Sequence, residues 1–147
     1  MFGYNRYMKF FARHNIHIIR AGATYDFIAS VGFAPPFAAA TLATLRHMHT
    51  ALRMGGSIPA FTVQQLLFTN LMGIVIILWA LLRLIKPLPY YGFVDALARV
   101  VYATTMLYYI VVLHVSTVLA GFACLEILWA TLQTMGYLGY RRATAKS

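Results

Sequence analysis

Only three acidic residues occur in the 147-residue chain, Asp26, Asp95 and Glu126, set against twelve Lys and Arg and five His. Each acid falls at or inside an apolar run. An ionised carboxylate there costs at least about 2.5 kcal/mol on insertion scales, so each must pair, hold a proton or bind something. Asp95 and Arg99 stand four apart, acid first, the favoured order on a helix, and Asp95 can also cap that helix. Asp26 falls at the level where Arg83 and Arg99 enter the apolar region, so an Asp26–Arg83 or Asp26–Arg99 pair is expected. These pairs read as structural rather than catalytic.

Glu126 lies deeper, and no basic residue stands at its depth when positions are counted along the chain. Thr105 and Tyr109 match that depth in the preceding apolar run, and Asn70 matches it in the one before. The expectation is a buried polar cluster of Glu126, Asn70, Thr105 and Tyr109 around a neutral acid. Such a cluster is either an interhelical clamp, worth about 0.6 kcal/mol on average, or a site that carries a proton or holds a headgroup.

His47, His49 and His114 belong to the opposite end of the apolar runs. Two histidines at matched depth on facing helices can ligate haem. The run Arg46-His47-Met48-His49, with Met54 close by, offers the imidazole and thioether ligands that copper accepts. Against both stands the simpler reading of interfacial histidines bonded to water and headgroups. His47 and His49 are two apart and point to different sides of a helix. Tyr102, Tyr108 and Tyr109 form an aromatic stripe that serves helix packing or a flat lipid such as a quinone. Cys124, the only cysteine, allows no internal disulfide and no thiolate metal cluster. It reads as a small buried thiol.

The elements that position these residues follow from composition. Hydrophobic residues make up 61% and charged residues 10%, against roughly 45–50% and 25% in soluble domains. Only a bilayer accommodates so much apolar surface. The charge of +9 does not indicate nucleic acid, because the basic residues sit at the ends of apolar runs, where lipid headgroups lie. Residues 1–22 read as a basic interfacial helix, with Lys9, Arg13, His17 and Arg20 on one side and a break at Gly22. The basic residues spread through it leave no uninterrupted centre for a cleavable signal.

A first span is expected from Ala23 to Leu45, interrupted at Pro35-Pro36, and a loop from Arg46 to Pro59. A second span runs from Phe61 to Leu82, closed by Arg83, Lys86 and Pro87. From Ala96 to Leu138 a single helix would reach about 64 Å, twice the hydrocarbon thickness, so it must fold back. A turn at His114 to Thr117 divides it into spans at 96–113 and 118–138. Residues 139–147 form a basic tail.

The fold expected is thus an all-α integral membrane bundle of four transmembrane helices over residues 23–138, preceded by an interfacial helix. On one side lie Arg6, Lys9, Arg13, Arg20, Arg83, Lys86, Arg99, Arg141, Arg142 and Lys146; on the other lie Arg46 and Arg53. That bias puts both termini in the cytoplasm.

The outline resembles the small DoxX-like bacterial membrane proteins over residues 24–138. The features that carry the likeness are Asn70-Leu71-Met72-Gly73, Arg83 with Pro87, Asp95 with Arg99, and Glu126. The resemblance implies a four-span protein of the bacterial cytoplasmic membrane, in a group some of whose members are linked to quinone-dependent sulfur oxidation. It carries over no catalytic residue. Three functions fit the sequence: a non-catalytic subunit packed against other membrane subunits of a respiratory or photosynthetic complex, with no cofactor of its own; a redox protein using haem, copper or quinone; and a small transporter or channel that works as a homo-oligomer.

The topology is checked by cysteine accessibility in cells, with Ser57 and Ser147 changed singly to Cys in a Cys124→Ala background. Position 57 is expected to react with an impermeant reagent from outside and position 147 only after permeabilisation. External labelling of position 147 defeats the four-span reading.

Overall fold

The computed structural model describes residues 2–145, with side chains from residue 7 onward. Within them the chain forms five helices: α1 Phe2–Val31, α2 Ala38–Ala51, α3 Val63–Ile85, α4 Pro89–Val111 and α5 Val118–Thr144. Helices α3, α4 and α5 are each long and apolar enough to cross a membrane. The protein is an all-helical membrane protein.

Local chemistry sets the boundaries. Thr62 and Gln65 open α3 with a reciprocal capping box: the Gln65 amide donates to Thr62 Oγ1, and the Thr62 amide donates to Gln65 Oε1. Pro87 follows the end of α3. Pro89 occupies the first turn of α4, where its missing N–H leaves nothing unsatisfied. The α4–α5 connection turns through His114 at φ +53°. It is pinned by the loop after α2: Ser57 N donates to His114 O, Ser116 N to Ser57 O, and Thr117 N to Gly55 O. Gly56, at φ +79°, lies so close to this turn that a Cβ would stand 2.5 Å from the Val115 carbonyl oxygen.

Several sequence expectations change here. Gly22 does not break a helix, because α1 runs through it without interruption. The segment 1–22 is therefore no separate interfacial element. Lys9, Arg13, His17 and Arg20 do lie on the exposed side, but Asn15, Ile19, Gly22 and Ala23 are buried against other helices. The interruption at Pro35-Pro36 becomes a full turn between α1 and α2. Helix α4 starts at Pro89 rather than 96. The expected tail continues α5 through Thr144. Cys124 is exposed on the outer face of α5 rather than buried. The side chains of Arg6 and Lys146 lie outside the described residues.

Helix α1 packs antiparallel on both α3 and α5, and α5 packs antiparallel on α4, while α3 and α4 stay apart along most of their length. The contacts are made by small residues. Among the described residues the buried apolar positions are eight alanines and Ile19. A Cβ on Gly73 would stand 2.7 Å from the Phe33 carbonyl carbon, and one on Gly139 would stand 2.8 Å from Ala12 N. Gly92 receives Ile19. Large apolar side chains point outward instead, as expected where lipid leaves no hydrophobic force between helices and close backbone approach supplies the attraction.

Gly73→Ala is expected to destabilise the bundle by about 1–3 kcal/mol, because the clash is with backbone. Gly121→Ala meets nothing within 4 Å and is expected to fall within about 1 kcal/mol of wild type, on the stabilising side. Reversible unfolding in mixed detergent micelles measures both.

Candidate functional site

Near the middle of α4, and beside the last turn of α3, side chains from α1, α3, α4 and α5 converge on Arg99. It stands ten residues from Pro89 and twelve from Val111, about 15 and 18 Å from the two ends of α4. Its guanidinium donates in three directions: Nε to Asp95 Oδ2 at 3.0 Å, Nη1 to Glu126 Oε2 at 2.7 Å, and Nη2 to Asp26 Oδ2 at 2.5 Å. Arg83, fully buried, donates Nη1 to Asp95 Oδ2 and Nη2 to Asp26 Oδ2, both at 2.5 Å. Asp95 further accepts from Trp79 Nε1 and from Gln133 Nε2, each at 2.8 Å. Aromatic faces cover the cations: the Arg83 guanidinium lies 5.3 Å from the Trp79 ring centroid, and that of Arg99 lies 5.9 Å from the Tyr25 ring.

All three acids of the chain thus join one network with two of its twelve basic side chains. The planar fork of arginine suits this role. Five donors in fixed directions reach several carboxylates at once, which a lysine ammonium cannot do from one nitrogen.

The sequence-derived sites are redistributed. Asp26, Arg83, Asp95 and Arg99 meet in one cluster, not as separate pairs at an interface. Glu126 joins them, and the expected cluster with Asn70, Thr105 and Tyr109 does not form. Thr105 and Tyr109 are exposed on the outer side of α4, and the Thr105 hydroxyl donates to the Val101 carbonyl of its own helix. Asn70 is half-buried, and its Oδ1 has no partner among the described residues. The reason is the start of α4. With the helix beginning at Pro89, Arg99 lies at mid-span rather than at the entry, and its long side chain meets Glu126 there. A base does stand at the depth of Glu126.

Two participants, Trp79 and Gln133, went unread in the sequence. Their signals were spacing: Trp79 is one turn from Arg83, and Gln133 is two turns from Glu126 on the same face of α5. At the far end, His49 Nδ1 and Ser116 Oγ share a 2.7 Å hydrogen bond that ties α2 to the α4–α5 turn. His47 and His114 are exposed. Among the described residues, no three His, Cys, Asp or Glu side chains gather as metal ligands. Tyr102, Tyr108 and Tyr109 lie on the outer face of α4.

Comparison of the chain with models of protein families, with curated proteins and with solved structures finds no match.

Arg99→Met leaves three buried acids facing one base and is expected to cost roughly 3–5 kcal/mol. Arg99→Lys should recover only part of this, since it replaces three divergent donors by one centre. Glu126→Gln, which removes the most weakly held acid, should fold as a monodisperse protein. Size-exclusion profiles and unfolding midpoints in detergent rank the three.

Proposed function

We propose that the chain is a four-span bundle of a bacterial cytoplasmic membrane, with both termini in the cytoplasm, acting as a non-catalytic subunit of a larger membrane assembly of respiratory or photosynthetic type. The fourth crossing is supported by the path of α1 and α2. Ala12 of α1 lies against Gly139 near one end of α5, Asp26 reaches the central network, and Ala34 lies against Gly73. His49 of α2 then reaches the α4–α5 turn at the other end. Together the two helices traverse the depth that α4 traverses alone.

The orientation rests on charge. Arg83 and Arg99 are inside the bundle and cannot contact headgroups, so the bias narrows from ten against two to eight against two. It keeps its sign. The bacterial assignment rests on the likeness to DoxX-like proteins.

The observation that carries the subunit reading is the outer face of α3. Leu67, Leu71, Ile74, Leu78, Leu81 and Ile85 recur at helical spacing along its full length, and all are exposed. The charged side chains of the central network and the alanines that pack beside them are turned inward, to close the bundle on itself. What remains outside is a smooth apolar flank on a helix that packs closely only on α1 over most of its length, suited to lateral contact with another transmembrane helix.

Purified from its native membrane in mild detergent, the protein is expected to migrate with larger partners and to show no Soret band. Isolation as a lone oligomer with stoichiometric haem or quinone overturns this reading in favour of a redox protein.

A further inference from the structure

We infer that the central network is a binding site for one exchangeable proton, held on Glu126. The network joins three carboxylates to two guanidinium groups. With all five ionised its net charge is −1 among buried side chains; with one proton bound it is zero. A single buried charge is disfavoured by low dielectric, whereas a balanced set of ion pairs is not.

Which acid takes the proton follows from the number of donors each already holds. Asp95 accepts four hydrogen bonds, from Arg83, Arg99, Gln133 and Trp79. Asp26 accepts two, both from guanidinium groups. Glu126 accepts one, from Arg99 to Oε2. Bonds donated to a carboxylate hold it in its charged form, so Glu126 is the least held of the three. It is also the most open, with 13% of its side chain exposed against 11% for Asp26 and 6% for Asp95. The groups facing it are Asp26 and Tyr25 from α1 and Arg99 and Asp95 from α4, with Arg83 of α3 one step further on, paired to Asp26 and Asp95. Beyond the guanidinium groups already counted in the network, these groups bring no positive charge to Glu126. The proton comes from bulk water and bonds to Oε1 of Glu126, while Oε2 keeps the hydrogen bond from Arg99. The O–H bond formed at Glu126 replaces one O–H bond of a hydronium ion, which is left as water.

A second, independent feature points to interior water beside the network. On the seam between α1 and α5, Asn15 and Gln133 are buried, at 2% and 0% exposure. Both polar atoms of the Asn15 amide and the Oε1 atom of Gln133 lack partners among the described residues. Asn15 Oδ1 lies over Gly136, one turn of α5 from Gln133 on the side of the basic end of the bundle. Gln133 in turn donates to Asp95. Buried amide atoms that lack protein partners are where interior water binds. The two amides therefore form a stepped polar seam that reaches the network at Asp95.

Glu126 is the only glutamate in the chain, so an isotope label on glutamate reports on it alone. Infrared spectra of the isolated full-length protein in nanodiscs are recorded at neutral pH in choline chloride, with and without carboxyl-¹³C glutamate. The expected result is one protonated-carboxyl band that carries the isotope shift, moves on transfer to D₂O, and is missing in Glu126→Gln. An isotope shift confined to the ionised-carboxylate region overturns the proposal, as does a protonated band insensitive to the label. Failure of the band to move in D₂O shows a locked proton and also overturns it. Loss of the band on adding sodium chloride at constant pH assigns the site to an alkali cation instead. The isolated chain suffices, so the outcome does not depend on the proposed assembly.

Discussion

Everything in this bundle depends on one guanidinium. Arg99 lies near the middle of α4 and hydrogen-bonds an acid on α1, an acid on α5 and an acid one turn back on its own helix. Through Asp26 and Asp95 it is joined to Arg83, and so to α3. Taken one at a time, these charges would be expelled from hydrocarbon. Taken together, each supplies the counter-charge the others need. The arrangement fixes which helices touch and how far each has slid along its neighbour, because a shift of one turn would leave a guanidinium or a carboxylate facing lipid.

The small residues are the second half of that constraint. A network of this kind requires the backbones of α1 and α5 to come close. A stripe of Gly22, Gly136 and Gly139 permits it, with Gln133 filling the space beside Gly22 and Asn15 the space beside Gly136. The resulting distribution is inverted relative to a soluble protein. Alanine, glycine and charge occupy the interior, and leucine, valine and tyrosine face out. Hydroxyls on the outward faces of α4 and α5 are satisfied locally, Thr104, Thr105 and Thr131 each donating to the carbonyl four residues back. They ask nothing of the lipid.

Legibility in the sequence divides along the same line. Helices α3 and α5, and the fold-back at residues 114–117, were readable because length and hydropathy alone dictate them. The ion-pair candidates were readable because isolated charges in apolar runs must find one another. What could not be read was depth. Counting from the least apolar boundary started the third span at 96, whereas Pro89 begins the helix and Tyr90 to Val94 belong to it. That error moved Arg99 to the membrane edge and deprived Glu126 of its partner. The break at Gly22 failed for a related reason. A glycine that would end an isolated helix is retained inside this one because Gln133 and Trp129 need the room its missing side chain leaves.

Helix α1 shows how far the central interaction reaches. On its own it is a poor candidate for a membrane span, with Arg13, Arg20, Asp26 and Asn15 along its length. Yet it is the helix on which both α3 and α5 pack. Lys9, Arg13 and Arg20 emerge on the exposed side, while Asp26 and Asn15 turn inward, where Arg83 and Arg99 take up the acid. The hydropathy of α1 therefore does not decide where it sits. Its place is decided by two arginines on other helices, which equally have no tenable position without it. Sequence, insertion and packing are coupled at that point, and the most polar helix becomes the one around which the apolar helices are arranged.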